Sequence, residues 1–424
     1  MTVPDADLEQ AVAALLAGDQ DVVRNPYPVY QRMRDLGPVY WHKSTVPFVT
    51  RHAEAKASLL DDQRLLTRRG QERFKMDSLS EDDRQRVREI VAFEALQLSG
   101  MNGAIHQRVR SAAIRGFTPS RIAHLGDYAK KLANDFLDDL AKTEESDLVK
   151  LSYRLPLLAL MELLGAPRDD ADMLKSWGDD LAAVKQYVPG GVPSDKIRKA
   201  HAGIANVRGY AAKMVEHSRR NPGNVSLVSA LIEAQDNGRI SEDELTGTLV
   251  VILYAGHLTT TDLIGSGIHD MLVHRDQWER LCADPSLAKS AVEETLRFNA
   301  PVQMMVRMPN VDVEIAGHKI AAGTNTMILY ASANRDPAVF KDPDRMDIGR
   351  TDIDHLSFGK GVHVCIGSSL ARLEAQAVYD TVCRRFPDMR LAEDPSRIEW
   401  NAHPMFHGLK RLPVHLGRDR GRTA

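Results

Sequence analysis

Apolar residues recur at three- and four-residue spacing from about Ala53 to Asn299, the signature of amphipathic helices, with loops between. An earlier helix opens at Asn25-Pro26-Tyr27-Pro28 and carries Tyr30, Met33 and Leu36 on one face. Val39-Tyr40-Trp41 and Pro47-Phe48-Val49-Thr50 read as a short hairpin. Strand-like pieces return at Val311 to Ile320, at Thr326 to Leu329 and after Met405. The chain thus reads as mainly α with a small β region, drawn from about 38–50, 304–330 and 386–416. Repeats, low-complexity segments and linkers are missing, so residues 1–424 are expected to form a single domain.

The longest helical pattern begins at Ser241-Glu242-Asp243-Glu244, a capping box with Ser241 as N-cap. It continues to about Val273, ~30 residues or roughly 45 Å. Gly256 in its middle costs about 1 kcal/mol relative to alanine. Either a neighbouring helix packs closely there, or the missing side chain leaves room for a ligand. Ala255 and Thr259, four residues apart, face one side. Two stretches read as loops. Leu79 to Met101 is charged first and apolar later, and Val188-Pro189-Gly190-Gly191-Val192-Pro193 reads as a helix break.

The most informative run is Phe358-Gly359-Lys360-Gly361-Val362-His363-Val364-Cys365-Ile366-Gly367. A lone cysteine closes a glycine-spaced loop, and a helical pattern (Ile366, Leu370, Leu373, Ala377, Val378) follows directly. A thiol at a helix N-terminus faces unpaired N–H groups and the positive dipole end, which favour thiolate. The glycines allow backbone angles closed to other residues and close approach of a flat ligand. Such a thiolate suits haem iron. The competing account is a small buried hydrophobe, the commonest role of a free cysteine. Cys383 lies roughly 27 Å along the helix, too far to share a metal with Cys365. With Cys282 as the third cysteine and no C-x-x-C pair, zinc and dithiol chemistry are disfavoured.

The run from Phe358 to Gly367, followed by Leu370-Ala371-Arg372-Leu373-Glu374, resembles the cysteine-ligand loop of the cytochrome P450 family. Glu294-Thr295-Leu296-Arg297, Ala255-Gly256-His257-Leu258-Thr259-Thr260 and Ala333-Asn334-Arg335-Asp336-Pro337 are similar to further family segments, in the family's order. The resemblance implies a triangular-prism fold with haem b (iron protoporphyrin IX) between the long central helix and the cysteine loop. It makes Cys365 the iron ligand and Phe358 a neighbour of the thiolate. His106, Arg110, Arg307 and His363 become partners of the haem propionates, in keeping with the need of buried carboxylates for cationic donors. Gly256 becomes the space for dioxygen and Thr259 the hydroxyl that passes protons there. Glu294 and Arg297, joined by Arg350, become a buried structural cluster. Ile252, Ala255, Val302, Met304, Met305, Met405 and Phe406 become an apolar ceiling for substrate, although Met and Phe stripes more often are plain core. The 79–101 and 188–193 stretches become a lid. Two positions depart from the pattern: Leu258 stands where an acid usually precedes the threonine, and Asn102 replaces a frequent acid before His106.

Composition refines this reading. The 424 residues carry 55 basic and 58 acidic side chains, net −3, which points away from nucleic acid and anionic membrane. Met1-Thr2-Val3-Pro4-Asp5 has no basic signal-peptide region, and the apolar run Leu249 to Leu258 is short of the ~20 residues a bilayer needs. Without such an anchor the chain resembles the soluble bacterial type of the family, which implies a cytoplasmic monomer, without a membrane partner, taking electrons from a ferredoxin or flavodoxin with its reductase. Lys360, Arg372, Arg108 and Arg115 are candidates for a basic docking patch, or simply a solvated face. The expected activity is hydroxylation or epoxidation of a mainly apolar small molecule in specialised metabolism. Leu258 leaves open a non-inserting oxidation such as ring closure or aryl or C–C coupling. A non-catalytic haem sensor is the more distant alternative.

Overall fold

The computed structural model describes residues 6–43, 45–67, 74–143, 146–184, 191–221 and 226–422. Its axis is the helix Glu242–Val273, opened by the expected capping box: Glu244 N–H donates to Ser241 Oγ (3.1 Å), and Ser241 N–H to the Glu244 carboxylate (2.8 Å). This central helix is apolar around most of its circumference and mostly buried. Small residues set how closely neighbours approach. A Cβ at Gly267 would meet Tyr379 Oη at 1.8 Å, and one at Gly256 would meet both Leu160 methyls at 3.2 Å. Gly256 therefore has a packing reason, the approach of the helix Val149–Leu164. On another side lies the helix Ser368–Arg385, itself packed along Pro119–Leu140.

The β region is small, as the sequence suggests. Val39–His42 and Val46–Val49 form the hairpin, with Tyr40 opposite Phe48. Val46–Val49 runs parallel to Thr326–Ile328, which pairs antiparallel with Met305–Pro309, and Leu65–Leu66 closes that edge. The Val311 to Ile320 stretch is not one strand. It folds into a hairpin, Val313–Ile315 and His318–Ile320, about Ala316 and Gly317, whose φ values are both positive (47° and 82°). That is the requirement of a type I′ turn. A third sheet joins Ser146–Asp147, Pro413–His415 and Arg390–Leu391.

Two sequence expectations need correction and one falls partly outside the described residues. Leu79 to Met101 is not a loop, because Glu81–Ala95 is a helix. Ser80 caps it, its Oγ accepting from Asp83 N–H at 3.2 Å, and the acidic block that suggested a loop is its dipole-favoured first turn. Val87, Ile90 and Phe93 form its buried side. Leu36, read as part of the face of Tyr27–Leu36, ends that helix exposed, while Tyr30 and Met33 are buried. Of the expected helix break, 188–190 lie outside the described residues. Gly191 to Pro193 are non-helical and lead into Ser194–Arg220.

A buried ion cluster holds the segment that leads to Cys365. Glu294 and Arg297, one helical turn apart on Ala288–Phe298, are both fully buried and pair through two contacts of 2.7 and 2.8 Å. Arg350 Nε adds a contact of 3.3 Å to Glu294, as the sequence suggested, and Asp347 N–H donates to the same carboxylate. Arg297 also donates to the carbonyls of Asn334, Pro343 and Arg345. Two charges thereby fix the chain from 334 to 350. Arg297→Ala leaves a buried carboxylate without its main partner, so a loss of roughly 3–5 kcal/mol is expected. Thermal unfolding and haem content after purification check this, and a variant with wild-type stability and full haem would contradict it.

Candidate active site

The loop that delivers Cys365 has little conformational freedom. Gly359 and Gly361 adopt positive φ (69° and 71°), and a Cβ at Gly361 would stand 3.1 Å from the Leu59 carbonyl. Cys365 N–H donates to Phe358 O at 2.9 Å, and Arg110 donates to Val364 O at 2.7 Å. The following helix starts at Ser368, two residues later than expected, with Gly367 as its cap. Its influence on the sulfur comes through the Gly367 N–H. Burial is the larger effect and pushes the Cys365 thiol up, with Gly367 N–H, Arg110 and Arg372 pulling the other way. The expected dipole bias toward thiolate is thus outweighed until a cation is bound, which deprotonates a coordinating thiol outright.

Cys365 opens onto one cavity, whose wall on its side continues through Ile366, Gly367, Leu370 and Ala371. Facing it are Val251, Ile252, Ala255, Gly256 and Thr260 of the central helix. Leu98, Phe117, Leu160 and Leu163 complete the apolar lining. At one edge His106 and His363 lie ring to ring, 4.1 Å between centroids, beside Arg110. Arg307 is buried, donates to Val306 O (3.1 Å) and to the Tyr330 hydroxyl, and acts electrostatically on His363. Burial, with His106, Arg307 and Arg110 in turn, drives the His363 pKa down to about 3. Burial first and Arg110 second also lower that of His106, whose Nδ1 is buried with no partner. Among the described residues none of these four groups has a carboxylate partner at ion-pair distance. They form a cluster of donors in need of an anion.

The cytochrome P450 family model matches residues 283–399. Relatives extend the match over nearly the whole chain. The polyketide biosynthesis cytochrome P450 PksS of Bacillus subtilis is 32% identical, covering 93% of this chain and 96% of its own. The chain belongs to the cytochrome P450 family. The P450 monooxygenase PikC of Streptomyces venezuelae is 33% identical, over 95% of this chain and 94% of that one. Among solved structures, that of CxnD, a P450 for C–S bond formation in chuangxinmycin biosynthesis, superposes with a TM-score of 0.82. It is 28% identical and covers 93% of this chain and 95% of CxnD. The protein is a P450 monooxygenase with the family's mainly helical fold, and the family's cofactor is haem. The site fits that group: a sulfur on one wall, apolar faces on both sides, and unpaired cationic donors at one edge.

The other expected residues are distributed unevenly. Ile252 and Ala255 line the cavity, whereas Val302, Met304, Met305, Met405 and Phe406 do not. Val302 and Phe406 meet in an isolated antiparallel bridge, Gln303 N–H donates to Met405 O, and Met304 and Met405 are buried in the core. Thr259 Oγ1 donates to Ala255 O at 3.3 Å, which leaves its oxygen free to accept. Phe358 stacks under the Arg372 guanidinium, 4.5 Å from the ring centroid. Asn102 has a local role: its amide accepts from Thr67 N–H (2.9 Å) and donates to Thr67 O (3.2 Å), a double contact no carboxylate can make. The four proximal cations are not a free patch. Lys360 pairs with Asp354, Arg372 with Glu293, Arg108 with Glu244 and Arg115 with Glu233.

Sequence reasoning missed Glu374, a cavity-lining carboxyl lifted well above the usual range by burial. Its spacing of four from Leu370 on an apolar stripe was the available signal. Removing one edge donor, in Arg307→Ala, is expected to cost a charge-assisted hydrogen bond, so haem should leave roughly 10- to 100-fold faster. Transfer of haem to an apoglobin scavenger measures this, and an unchanged rate would exclude Arg307 from holding the group.

Proposed function

We propose that this P450 hydroxylates or epoxidises a mainly apolar small molecule in specialised metabolism, using haem b held by Cys365. The observation that carries the proposal is the opposition of the Cys365 loop and Ala255, Gly256 and Thr260 of the central helix across one apolar cavity, with Thr259 just outside its lining. When bound, the haem activates dioxygen for attack on an unactivated carbon, with the cysteine thiolate as electron-donating ligand. The net reaction takes substrate, dioxygen, two electrons and two protons to oxygenated substrate and water. The chain's own residues do the rest. His106, Arg110, Arg307 and His363 hold the propionates and, by saturating them, set the orientation of the ring. Gly256 leaves space beside Ala255, and Thr259, its proton turned to Ala255 O, offers an oxygen that accepts and relays protons. Ile252 and Ala255, which line the cavity, exclude water and select apolar substrates.

Electrons come from a ferredoxin or flavodoxin with its reductase. Because each proximal cation is paired within the chain, docking is expected to depend weakly on salt. The proposed form is a cytoplasmic monomer with one catalytic domain. Support comes from the central helix: of the described residues it alone is long and apolar enough to cross a membrane, and it is buried in the fold.

Leu258 favours a second reading, a non-inserting oxidation. The similarity to CxnD, named for C–S bond formation, supports keeping it. One experiment separates the two. Compounds that shift the Soret band of the haem-loaded ferric protein are turned over under labelled dioxygen with a ferredoxin–reductase pair. Label in the product is the expected result, and product without label would replace hydroxylation by coupling. Cys365→Ser should abolish the thiolate-type spectrum of the reduced carbonyl adduct, and its persistence would refute the whole assignment.

A further inference from the structure

Two protons are consumed in each turnover, and the position before Thr259 is a leucine that can hold none. The adjacent histidine is no substitute. His257 is fully buried on the opposite side, Nδ1 at 3.2 Å from Leu253 O, its ring edge-on to Tyr153 and close to Gly178. Burial first, partly offset by that carbonyl, lowers its pKa to about 4, so it is neutral and points away from the cavity.

One turn further along the same helix is Asp262. Ala255, Thr259 and Asp262 are spaced i, i+4, i+7 and form one stripe. Helical side chains lean toward the N-terminus over the preceding turn, so the Asp262 carboxyl leans toward Thr259. It has no hydrogen-bond or ion-pair partner among the described residues, which is costly for a group this deep in the fold. It lies directly on Gly408: a Cβ there would be 1.7 Å from Oδ1 and 2.3 Å from Cγ, so only glycine leaves room for the carboxyl. Gly408 belongs to the segment after Phe406, which bridges to Val302. The residue is half-buried and does not line the Cys365 cavity.

We propose that Asp262 is the proton-holding residue of the central helix, acting through Thr259 in place of the acid that Leu258 lacks. The inference rests on the monooxygenase reading above. In the step, the carboxylic acid gives its proton toward the Thr259 oxygen as the Thr259 proton moves on, and the resulting carboxylate is reprotonated from water. No electrons are exchanged. Burial lifts the Asp262 pKa to about 7, and no charged group lies close enough to alter it. The titratable neighbours are turned elsewhere. His407, beyond Gly408, contacts Asn299 and Val23 O, and His403 accepts from the Met405 and Phe406 N–H groups. His269 pairs with Asp270, and Tyr153 on the neighbouring helix faces Lys175 and His257. Glu374, a carboxyl likewise raised by burial, lines the cavity from the opposite helix, on the Cys365 wall.

A group that is acid below about 7 and carboxylate above it can donate only in the acid form. With haem-loaded protein and a ferredoxin–reductase pair, dioxygen-dependent NADPH consumption should therefore fall as pH rises through about 7. Asp262→Asn, isosteric and unable to donate, should lower the acidic plateau by roughly 100-fold, raise the solvent deuterium isotope effect and remove the inflection. Its effect should be non-additive with that of Thr259→Ala, and Leu258→Asp in the Asp262→Asn background should restore part of the rate. Independently of turnover, infrared difference titration should show a protonated-carboxyl band that disappears near neutral pH and is missing from Asp262→Asn. Glu374→Gln should leave that band in place. If Asp262→Asn keeps the wild-type rate, isotope effect and band, the assignment to Asp262 is overturned. A wild-type carbonyl spectrum without thiolate character would instead overturn the monooxygenase reading beneath it.

Discussion

The Glu294–Arg297 pair is the constraint on which the active site depends. A fully buried ion pair is weak evidence of stability, since desolvation offsets most of its attraction. Its value here lies in what else the charges must satisfy. Arg297 has donors left after its carboxylate is met, and they take the carbonyls of Asn334, Pro343 and Arg345. Glu294 has acceptor capacity left, and it takes Arg350 and the Asp347 N–H. Asn334 carries the chain of contacts forward, its side chain accepting from Leu356 N–H and donating to Ser357 Oγ. Two residues later the glycine-spaced loop begins. The cysteine is thus positioned by hydrogen bonds that a desolvated charge pair cannot give up without large cost.

The cavity edge obeys the reverse logic. His106, Arg110 and His363 share one edge, with Arg307 close enough to act on His363, and none has a carboxylate partner among the described residues; burial first, then these neighbours, hold the His363 imidazole neutral to about pH 3. A protein that folded only for stability would supply an acid there. Leaving the cluster unpaired makes it complementary to an anion arriving from outside the chain, and the apolar walls require that anion to be carried by a hydrophobic body. The proximal cations differ because each has its own carboxylate. Among the described residues these four groups leave charge unmet beside the cavity, where the cofactor's acidic groups belong.

Much of this was legible in the sequence because the signals were local. The capping box at Ser241, the Glu294–Arg297 spacing and the glycines around Cys365 each depend on residues within one or two turns, and each appears in the structure as read. Failures came where a local signal had two meanings. The acidic block at Glu81 to Asp83 suits a solvated loop and a helix N-terminus equally, and only the buried side of Val87, Ile90 and Phe93 decides between them. Met304 and Met405 look alike in a core and in a pocket, and the structure buries them. Glu374 was hidden for a different reason: burial of a carboxyl by another helix is a tertiary fact, with only a charge on an apolar stripe to suggest it.

The central helix joins these lessons to the chemistry. Between Ala255 and Asp262 its faces are divided by function: His257 and Thr261 are buried in protein, Ala255, Gly256 and Thr260 line the cavity, and Thr259 and Asp262 continue the stripe that Ala255 begins. A leucine at 258 breaks the polar sequence at one point of that stripe's flank, and a carboxyl returns four residues later, deep enough for burial to keep it protonated to about neutral pH. Moving an acid by one helical turn keeps it on nearly the same side, because four residues advance the helix by 400°, a displacement of only about 40°. The change to leucine then removes a surface-accessible proton without removing the helix's ability to hold one. Proton access then rests on Asp262 and Thr259 together, one turn apart on the helix, with Gly408 leaving the room that the carboxyl occupies.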